Sequence, residues 1–265
     1  MTNSATEKLL LIKVDFRSEC GTRAVQQDSI GWSRVEMYEK RGFLAVLSDG
    51  MGGMKNGEVY SKIAVTEMLK HFKREDLSQD IMLRLLECYA GARKAARVRC
   101  PIPEEPEGGA TVVAVCIQEG KCAFLSVGDS RLYLWRGGAL LQLNRELTLG
   151  VLLDENAAMG YIPKEYAQSG LRDAIENNIC EPDLKRCDMP SRPFALAEGD
   201  ILLLMSDGVP HTLTDKEIAQ ALTDLEGSAA EAIGKAVKKK KNPKQDNYTI
   251  VEIVVQAKNR SEKEV

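Results

Sequence analysis

The length, composition and charge of this chain exclude several classes of protein. Its 265 residues, 44% of them hydrophobic, suffice for one large globular domain with a full core or for two small ones, and we favour one domain. The formal net charge is -3 and the basic residues are scattered, so the sequence lacks the basic footprint that nucleic-acid binding usually requires. Any phosphate binding must therefore be local.

The ends of the chain and the cysteines indicate a compartment. The apolar stretch over residues 9–12 is too short for a signal sequence or a membrane span, so we expect a cytoplasmic protein without a membrane partner. The 7 cysteines form no C-x-x-C pair and several stand in apolar runs, which favours reduced structural thiols. We expect residues 1–8 to be a flexible N-terminus, 9–256 to form the domain, and 257–265 to be a polar tail.

The first predicted elements are strands. Residues 12–17 alternate between apolar and polar side chains, which is typical of a half-buried strand, and residues 29–35 suggest another. The run over 42–47 is continuously apolar, as in a strand covered on both faces. It stops at Ser48-Asp49-Gly50.

Helices and further strands follow along the chain. Apolar residues at helical spacing predict two amphipathic helices, over 60–72 and 81–96. The next part of the chain predicts an antiparallel meander with short turns, over 111–117, 122–127, 131–135 and 139–143. Residues 144–178 lose this clear period, and we interpret them as a mobile insert or flap.

The last third repeats the earlier pattern. An apolar strand over 200–205 continues into Ser206-Asp207-Gly208, and helices near 215–222 and 228–239 precede a last strand over 248–255. Strands interleaved with paired helices predict an α+β fold. In that fold, two mainly antiparallel sheets pack together and are flanked by helices, giving a four-layer α-β-β-α sandwich.

Two apolar strands that each end in Ser-Asp-Gly are the most informative feature. A strand end fixes the carboxylates of Asp49 and Asp207, and the following glycine lets the backbone approach a ligand closely. Carboxylates and backbone carbonyls are ligands that Mg²⁺ and Mn²⁺ prefer. One Asp-Gly pair alone is a common turn dipeptide, but a second copy after a matching strand favours a metal site.

Three further aspartates stand beside predicted strand boundaries. Asp28 precedes the second strand, and Asp246 precedes the last one in Gln245-Asp246-Asn247. Asp129 lies in Gly128-Asp129-Ser130-Arg131, between two strands of the meander. On sequence alone, Arg23 is a surface residue.

Five ordered motifs resemble those of the type 2C (PPM) metal-dependent serine/threonine protein phosphatases of bacteria. They are Asp49-Gly50-Met51-Gly52-Gly53, Gly109-Ala110-Thr111, Gly128-Asp129-Ser130-Arg131, Ser206-Asp207-Gly208 and Asp246-Asn247. The resemblance covers about residues 10–256, and the order of five motifs is more specific than any one of them. It implies hydrolysis of phosphoserine or phosphothreonine on proteins by a water that bridges two divalent ions, Mn²⁺ or Mg²⁺.

The resemblance also implies a role for each matching residue. Asp49 bridges the two ions and the Gly50 carbonyl joins the second, while Asp207 and Asp246 complete the first. Asp28 serves the second ion directly or through water. Two further roles follow from it: phosphate binding by the planar guanidinium of Arg23, and a third, weaker ion at Asp129, for which a structural turn role stays open.

The sequence departs from the family pattern at several positions. Met51 stands where several animal members have a histidine that is thought to protonate the leaving group, and methionine has no transferable proton. Gln27 removes a possible carboxylate from the second ion. In the flap region, Asn144-Arg145-Glu146 replaces an Asp-His pair and Glu176 replaces a usual glycine, so we expect unusual substrate specificity.

The histidines and the lysine run receive simpler interpretations. There are 2 histidines, His71 and His211, which argues against a histidine-rich zinc site or a Ser/His/Asp triad. We favour a structural or surface role for His71 and no catalytic role for His211. The basic run from Lys238 to Lys241 falls at a predicted helix end, where cations suit the helix dipole and solvent.

The leading hypothesis is an active, monomeric phosphatase that acts on phosphorylated proteins and opposes a serine/threonine kinase. One rival is a catalytically silent module of the same fold that binds a partner. Clustered carboxylates that repel one another argue against it, because such a module has no need for them. A phosphoesterase for small molecules is the second rival.

Overall fold

The computed structural model describes residues 10–34, 37–51, 56–74, 76, 78–99, 108–168, 170–181, 186–223, 225 and 227–257. The predicted N-terminus and C-terminal tail fall outside these residues, apart from residue 257. The strands are β1 (Leu10–Glu19), β2 (Ser29–Trp32), β3 (Phe43–Ser48), β4 (Val112–Gln118), β5 (Lys121–Val127), β6 (Arg131–Arg136), β7 (Ala139–Gln142), β8 (Phe194–Ala195), β9 (Ile201–Met205) and β10 (Tyr248–Ala257). The helices are α1 (Tyr38–Arg41), α2 (Gly57–Phe72), α3 (Ile81–Arg99), α4 (Leu149–Ala158), α5 (Asp215–Thr223) and α6 (Ala229–Lys240).

The strands form two antiparallel sheets of five strands each. The first sheet has the order β1-β10-β9-β6-β7 and the second has the order β2-β3-β4-β5-β8. The two Ser-Asp-Gly strands, β3 and β9, therefore belong to different sheets. Each is internal to its sheet, which explains its continuously apolar sequence.

Alternation along the strands builds the layers. In β3, Leu44 and Val46 pack against α2 and α3, whereas Ala45 and Leu47 face the other sheet. Side chains along the strands of the first sheet alternate in the same way: one set faces the second sheet, and the other packs against helices α5 and α6. The result is helices, sheet, sheet and helices, which confirms the predicted four-layer α+β sandwich.

The predicted meander is wrong at its middle turn. Strand β5 pairs with β4 and β8 in the second sheet, whereas β6 pairs with β7 and β9 in the first. The turn Gly128-Asp129-Ser130 therefore crosses from one sheet to the other. Gly128 has φ +101°, and a Cβ there would lie 2.7 Å from the Thr111 side chain, so this crossing needs a glycine. Spacing along the chain cannot distinguish such a crossing from a hairpin.

The predicted flap, residues 144–178, has regular structure that the sequence pattern missed. It contains α4 and a short 3-10 helix over Lys164–Gln168. Thr148 caps α4 by accepting a hydrogen bond from the backbone N–H of Val151, and it forms a β-bridge with Ile175. The two ends of the segment are thus joined beside the turn that carries Asp129, because the Leu147 N–H donates to the Gly128 carbonyl at 2.8 Å.

Three further expectations can be compared with the structure. Every cysteine within the described residues is a free thiol, and all of them except the exposed Cys20 and the partly buried Cys187 are buried. The second strand is shorter than predicted: β2 ends at Trp32, and the Ser33 hydroxyl then accepts a hydrogen bond from the Leu44 N–H at 3.0 Å. No helix in the described part of the chain has both the length and the apolar character needed to cross a membrane.

Candidate metal centre

Asp49 and Asp207 follow the ends of β3 and β9, at the same edge of the sandwich. Burial raises the pKa of Asp49 well above its usual range, and the charges of Asp28, Asp207 and Asp129 raise it further. Burial also raises the pKa of Asp207. The fold therefore brings carboxylates from both sheets close enough to repel one another.

Asp28 precedes β2 in the second sheet but is held by the first sheet. Its Oδ2 accepts hydrogen bonds from the Ser206 hydroxyl at 2.8 Å and the Thr249 hydroxyl at 2.7 Å. Its Oδ1 is buried without a hydrogen-bond partner among the described residues. Burial raises the pKa of Asp28 to about 6 despite these two donors. The unpartnered oxygen is suited to a cation.

Asp129 projects from the turn that crosses between the sheets. Its Oδ1 is a second buried oxygen without a hydrogen-bond partner in the described structure. Burial, followed by the charge of Asp207, raises the pKa of Asp129 to about 7. Behind it, Arg131 forms an ion pair with Glu146 at 2.9 Å, so one of the flap residues that departs from the family pattern supports this turn.

Thr111 joins three of the sequence motifs. Its hydroxyl accepts a hydrogen bond from the Asp49 N–H at 3.1 Å and lies 2.8 Å from the Ser130 hydroxyl. Its own N–H donates to the Asp49 carbonyl at 2.8 Å. Thr111 therefore fixes the backbone of Asp49 against the turn that carries Asp129. Sequence reasoning used this residue only as part of a motif and missed this role.

Gly50 lies where the backbone has no room for a side chain. Its N–H donates to the Gln27 carbonyl at 3.2 Å, and it forms a β-bridge with Ala110. A Cβ at Gly50 would lie 2.5 Å from the backbone of Gly57, the first residue of α2. The glycine is therefore required for close packing beside Asp49, whatever its carbonyl binds.

Arg23 and Asp246 lie at the rim of the carboxylate cluster. The Arg23 Nη2 is 2.7 Å from the Asp246 Oδ2, and both side chains are partly exposed. Asn247 holds the loop that carries Arg23: its amide donates to the carbonyls of Cys20 and Val25, and its Oδ1 accepts from the Gln27 N–H at 2.9 Å. Sequence reasoning assigned no role to Asn247, although its place after Asp246 was a usable signal.

The two histidines lie in different parts of the fold, and only His211 is near the carboxylates. The His211 Nδ1 lies 3.5 Å from the Asp207 Oδ2, so this residue, to which the sequence assigned no catalytic role, adjoins the cluster. His71 packs on α2 against Gly91 of α3, where a Cβ would lie 2.3 Å from the imidazole, as expected for a structural residue. Met51 lies near Gly109, and its N–H donates to the Gly109 carbonyl at 3.1 Å.

The structure thus brings Asp28, Asp49, Asp129 and Asp207 together, with Asp246 adjoining Asp207 at the rim. In the described part of the chain, no three histidine, cysteine, aspartate or glutamate side chains are placed to hold one ion together. Hydrated divalent ions need only one or two carboxylates each, because waters supply their remaining ligands. The residue types nevertheless fit divalent cations, since they are hard oxygen donors, mutually repelling, with two buried oxygens unpartnered.

Comparisons with known proteins agree with this arrangement. The family model for protein phosphatase 2C matches residues 17–241. The serine/threonine protein phosphatase PstP of Mycobacterium tuberculosis (strain ATCC 25618 / H37Rv) is 29% identical over 221 residues, which are 80% of this chain. The chain spans only 39% of the length of that curated relative. The serine/threonine phosphatase stp of Listeria monocytogenes serovar 1/2a is 26% identical over 213 residues, which cover 78% of this chain and 82% of the relative.

Solved structures show the same fold. The S. agalactiae serine/threonine phosphatase superposes with a TM-score of 0.77 at 24% identity and covers 93% of this chain and 100% of that one. The catalytic domain of PstP in complex with two manganese ions superposes with a TM-score of 0.71 at 26% identity and covers 94% of this chain and 100% of that one. Taken with the family model, the two-sheet fold and the ordered motifs, these matches show that the chain belongs to the protein phosphatase 2C family.

Proposed function

We propose that this chain is a metal-dependent protein phosphatase that hydrolyses phosphoserine and phosphothreonine on proteins. The observation that carries the proposal is the cluster of Asp28, Asp49, Asp129 and Asp207, which both sheets contribute to one edge. Keeping mutually repelling carboxylates together in a low-dielectric site is unfavourable unless cations balance them. A silent module of the same fold has no need for this arrangement.

The residues that would hold the ions are those of the cluster and its rim. Asp49, with the Gly50 carbonyl, would serve both ions, Asp207 and Asp246 would serve the first, and Asp28 would serve the second. When bound, two divalent cations, Mn²⁺ or Mg²⁺, lower the pKa of water and neutralise charge on the phosphoryl oxygens. Asp129, with its unpartnered oxygen, is the residue for a third, weaker ion.

The chain's own side chains bind and orient the substrate. Arg23 is exposed enough to reach a phosphate, and its guanidinium can make two parallel hydrogen bonds to the phosphoryl oxygens. Asn247 holds the Arg23 loop, and Thr111 holds Asp49, so both positions are fixed before the substrate arrives. The proposed substrates are phosphoproteins made by a serine/threonine kinase, and the proposed active form is a monomer.

Hydrolysis of p-nitrophenyl phosphate and of a phosphothreonine peptide, each with Mn²⁺, Mg²⁺ or chelator, tests this function. We expect turnover only with metal, and a loss of at least about 100-fold in Asp207→Asn because a ligand charge is removed. Asp76→Asn is the matched control, since Asp76 is exposed and pairs with Arg74 instead. Turnover that survives both chelator and Asp207→Asn would contradict the metal-dependent mechanism. Calorimetric metal binding without turnover of either substrate would support the silent module.

A further inference from the structure

Two of the four lysines in the basic run line a cavity. Helix α6 ends at Lys240, and Lys241 follows in a left-handed conformation with φ 52°. Lys238 and Lys241 border a cavity of about 200 Å³, whereas Lys239 and Lys240 are not among its lining residues. All four lysines are exposed, as the solvated face predicted from the sequence requires, and Lys238 and Lys241 border this cavity in addition.

The cavity shares a wall with the candidate metal centre. Gly21, Thr22 and Gln245 line it, and the next residue in each segment is Arg23 or Asp246. The Thr22 N–H and hydroxyl both donate to the Gln245 carbonyl, at 2.8 and 2.9 Å, so the two segments are joined at this wall. Neighbouring Cα atoms are about 3.8 Å apart. Arg23 thus begins one residue from the cavity wall, which brings a residue that flanks a phosphate bound by Arg23 within reach of the cavity.

The charge around the cavity favours a negative occupant. Glu19 is the acidic residue in its lining, and its carboxylate forms ion pairs with Lys238 at 3.0 Å and with Arg17 at 2.7 Å. The hydrogen bond from Lys238 is the main cause of the lowered pKa of Glu19. Lys241 forms no ion pair with the residues that the structure describes. Its charge is therefore available to a ligand.

The shape of the cavity favours a side chain with a short apolar stem. Val237 and Tyr248, each 2% exposed, form part of its wall, while the lysines and Asn242 supply polar groups. A volume of about 200 Å³ is several times the roughly 30 Å³ that one water occupies in the liquid. An aspartate or glutamate side chain fits both the size and the charge.

We propose that this cavity selects substrates with an acidic residue close to the phosphorylated one, through Lys238 and Lys241. The proposal rests on the phosphatase function proposed above. It adds a specificity site that lies beside the reacting phosphate but takes no part in the chemistry. Free phosphate is negatively charged, as the proposed ligand is, so the test must distinguish a peptide carboxylate from a free anion.

The test uses a set of phosphothreonine peptides in which one glutamate is moved from three residues before to three residues after the phosphothreonine, each paired with its glutamine analogue. For the full chain with Mn²⁺, we expect kcat/KM to be about three- to fivefold higher for the glutamate peptide at one or two positions, a typical effect of a partly exposed charge pair. The preference should disappear in Lys238→Gln/Lys241→Gln and persist in the matched control Lys239→Gln/Lys244→Gln. Equal preferences in the two double variants would overturn the proposal.

Two further measurements separate the possible failures. Fluorescence anisotropy of the same labelled peptides with Asp207→Asn measures binding without turnover, so the acidic preference is tested even if the proposed function fails. Hydrolysis of p-nitrophenyl phosphate by the wild type tests the function itself. If inorganic phosphate at millimolar concentration binds the wild type but not Lys238→Gln/Lys241→Gln in calorimetry, while the glutamate and glutamine peptides behave alike, the cavity binds a free anion and the peptide proposal is wrong. Absence of any glutamate preference in both assays would also overturn it.

Discussion

The Arg23 guanidinium and the Asp246 carboxylate form an ion pair, with Nη2 and Oδ2 2.7 Å apart. The two residues have different proposed roles, since Arg23 binds the phosphate and Asp246 binds an ion. In the structure each satisfies the charge of the other. A cation at Asp246 therefore weakens the hold on Arg23, so metal binding and phosphate binding are expected to be coupled through this pair.

Replacement of Arg23 tests this coupling. We expect Arg23→Ala to raise KM for a phosphothreonine peptide about 10- to 100-fold, because a charge-assisted contact to the phosphate is lost. The same change removes the competitor for Asp246, so Mn²⁺ should bind at least as tightly in calorimetry. Arg74→Ala, which breaks an exposed ion pair with Asp76, is the control. Weaker Mn²⁺ binding in Arg23→Ala, or an unchanged KM, would show that the pair does not act in this way.

The raised pKa values of the clustered aspartates predict how stability depends on pH. Burial raises the pKa of Asp28 to about 6 and that of Asp129 to about 7, from 3.8. The folded state therefore binds more protons than the unfolded state between about pH 5 and 8, and the free energy of unfolding falls as pH rises through this range. Carboxylates with lowered pKa, such as Glu19, are ionised in both states here and contribute nothing to the slope.

Thermal unfolding in the presence of chelator measures this slope. We expect Tm to be higher at pH 5 than at pH 8 by at least about 5 °C, since a shift of one pKa unit corresponds to about 1.4 kcal/mol. Saturating Mn²⁺ should reduce or reverse the difference, because it stabilises the ionised carboxylates. Asp28→Asn should flatten the slope, while Asp76→Asn should not. If the Tm of the metal-free protein rises with pH instead, the clustered aspartates do not have the raised pKa values on which this prediction rests.

Much of the fold followed from local patterns, and the remainder depended on pairing between distant segments. The apolar runs of β3 and β9 identified buried strands, because strands covered on both faces need apolar side chains throughout. The crossing between β5 and β6 could not be predicted, because a short turn has the same sequence pattern whether the two strands it joins pair with each other or belong to different sheets. Helix α4 was missed because the flap has no clear period.

The candidate site divides in the same way. Aspartates at strand ends were visible in the sequence, since their position follows from the strands themselves. The roles of Thr111 and Asn247 were not, because each acts through hydrogen bonds to segments far away in sequence. Which lysines of the run border the cavity also depends on where α6 ends relative to the Arg23 loop.

Asn247 should be a positioning residue for the Arg23 loop. We expect Asn247→Leu to lower the free energy of unfolding by about 2–4 kcal/mol, because it leaves the Cys20 and Val25 carbonyls and the Gln27 N–H without their partner. KM for a phosphothreonine peptide should rise while kcat changes less, as the loop loses its fixed position. Asn247→Asp keeps the bond from Gln27 but sets a carboxylate oxygen against the Cys20 and Val25 carbonyls, so it should not restore the stability. Asn156→Leu on α4, at a partly buried position away from the Arg23 loop, is the control in chemical denaturation and kinetics. Equal stability of the two leucine variants would refute the role.

Thr111 should control both stability and metal affinity, since its hydroxyl links Asp49 to the turn that carries Asp129. Thr111→Val preserves the shape of this fully buried side chain but leaves the Asp49 N–H unpaired, which we expect to cost about 1–3 kcal/mol in denaturant unfolding. Mn²⁺ should bind more weakly in calorimetry, because the Asp49 backbone is released. Thr111→Ser retains the hydroxyl and should restore most of the metal affinity, although it loses a buried methyl group. Thr223→Val on α5, where the hydroxyl donates to the Ala219 carbonyl at an exposed position, is the matched control. If Thr111→Val and Thr223→Val have the same metal affinity, Asp49 is held by the strand end alone and the hydroxyl link is dispensable.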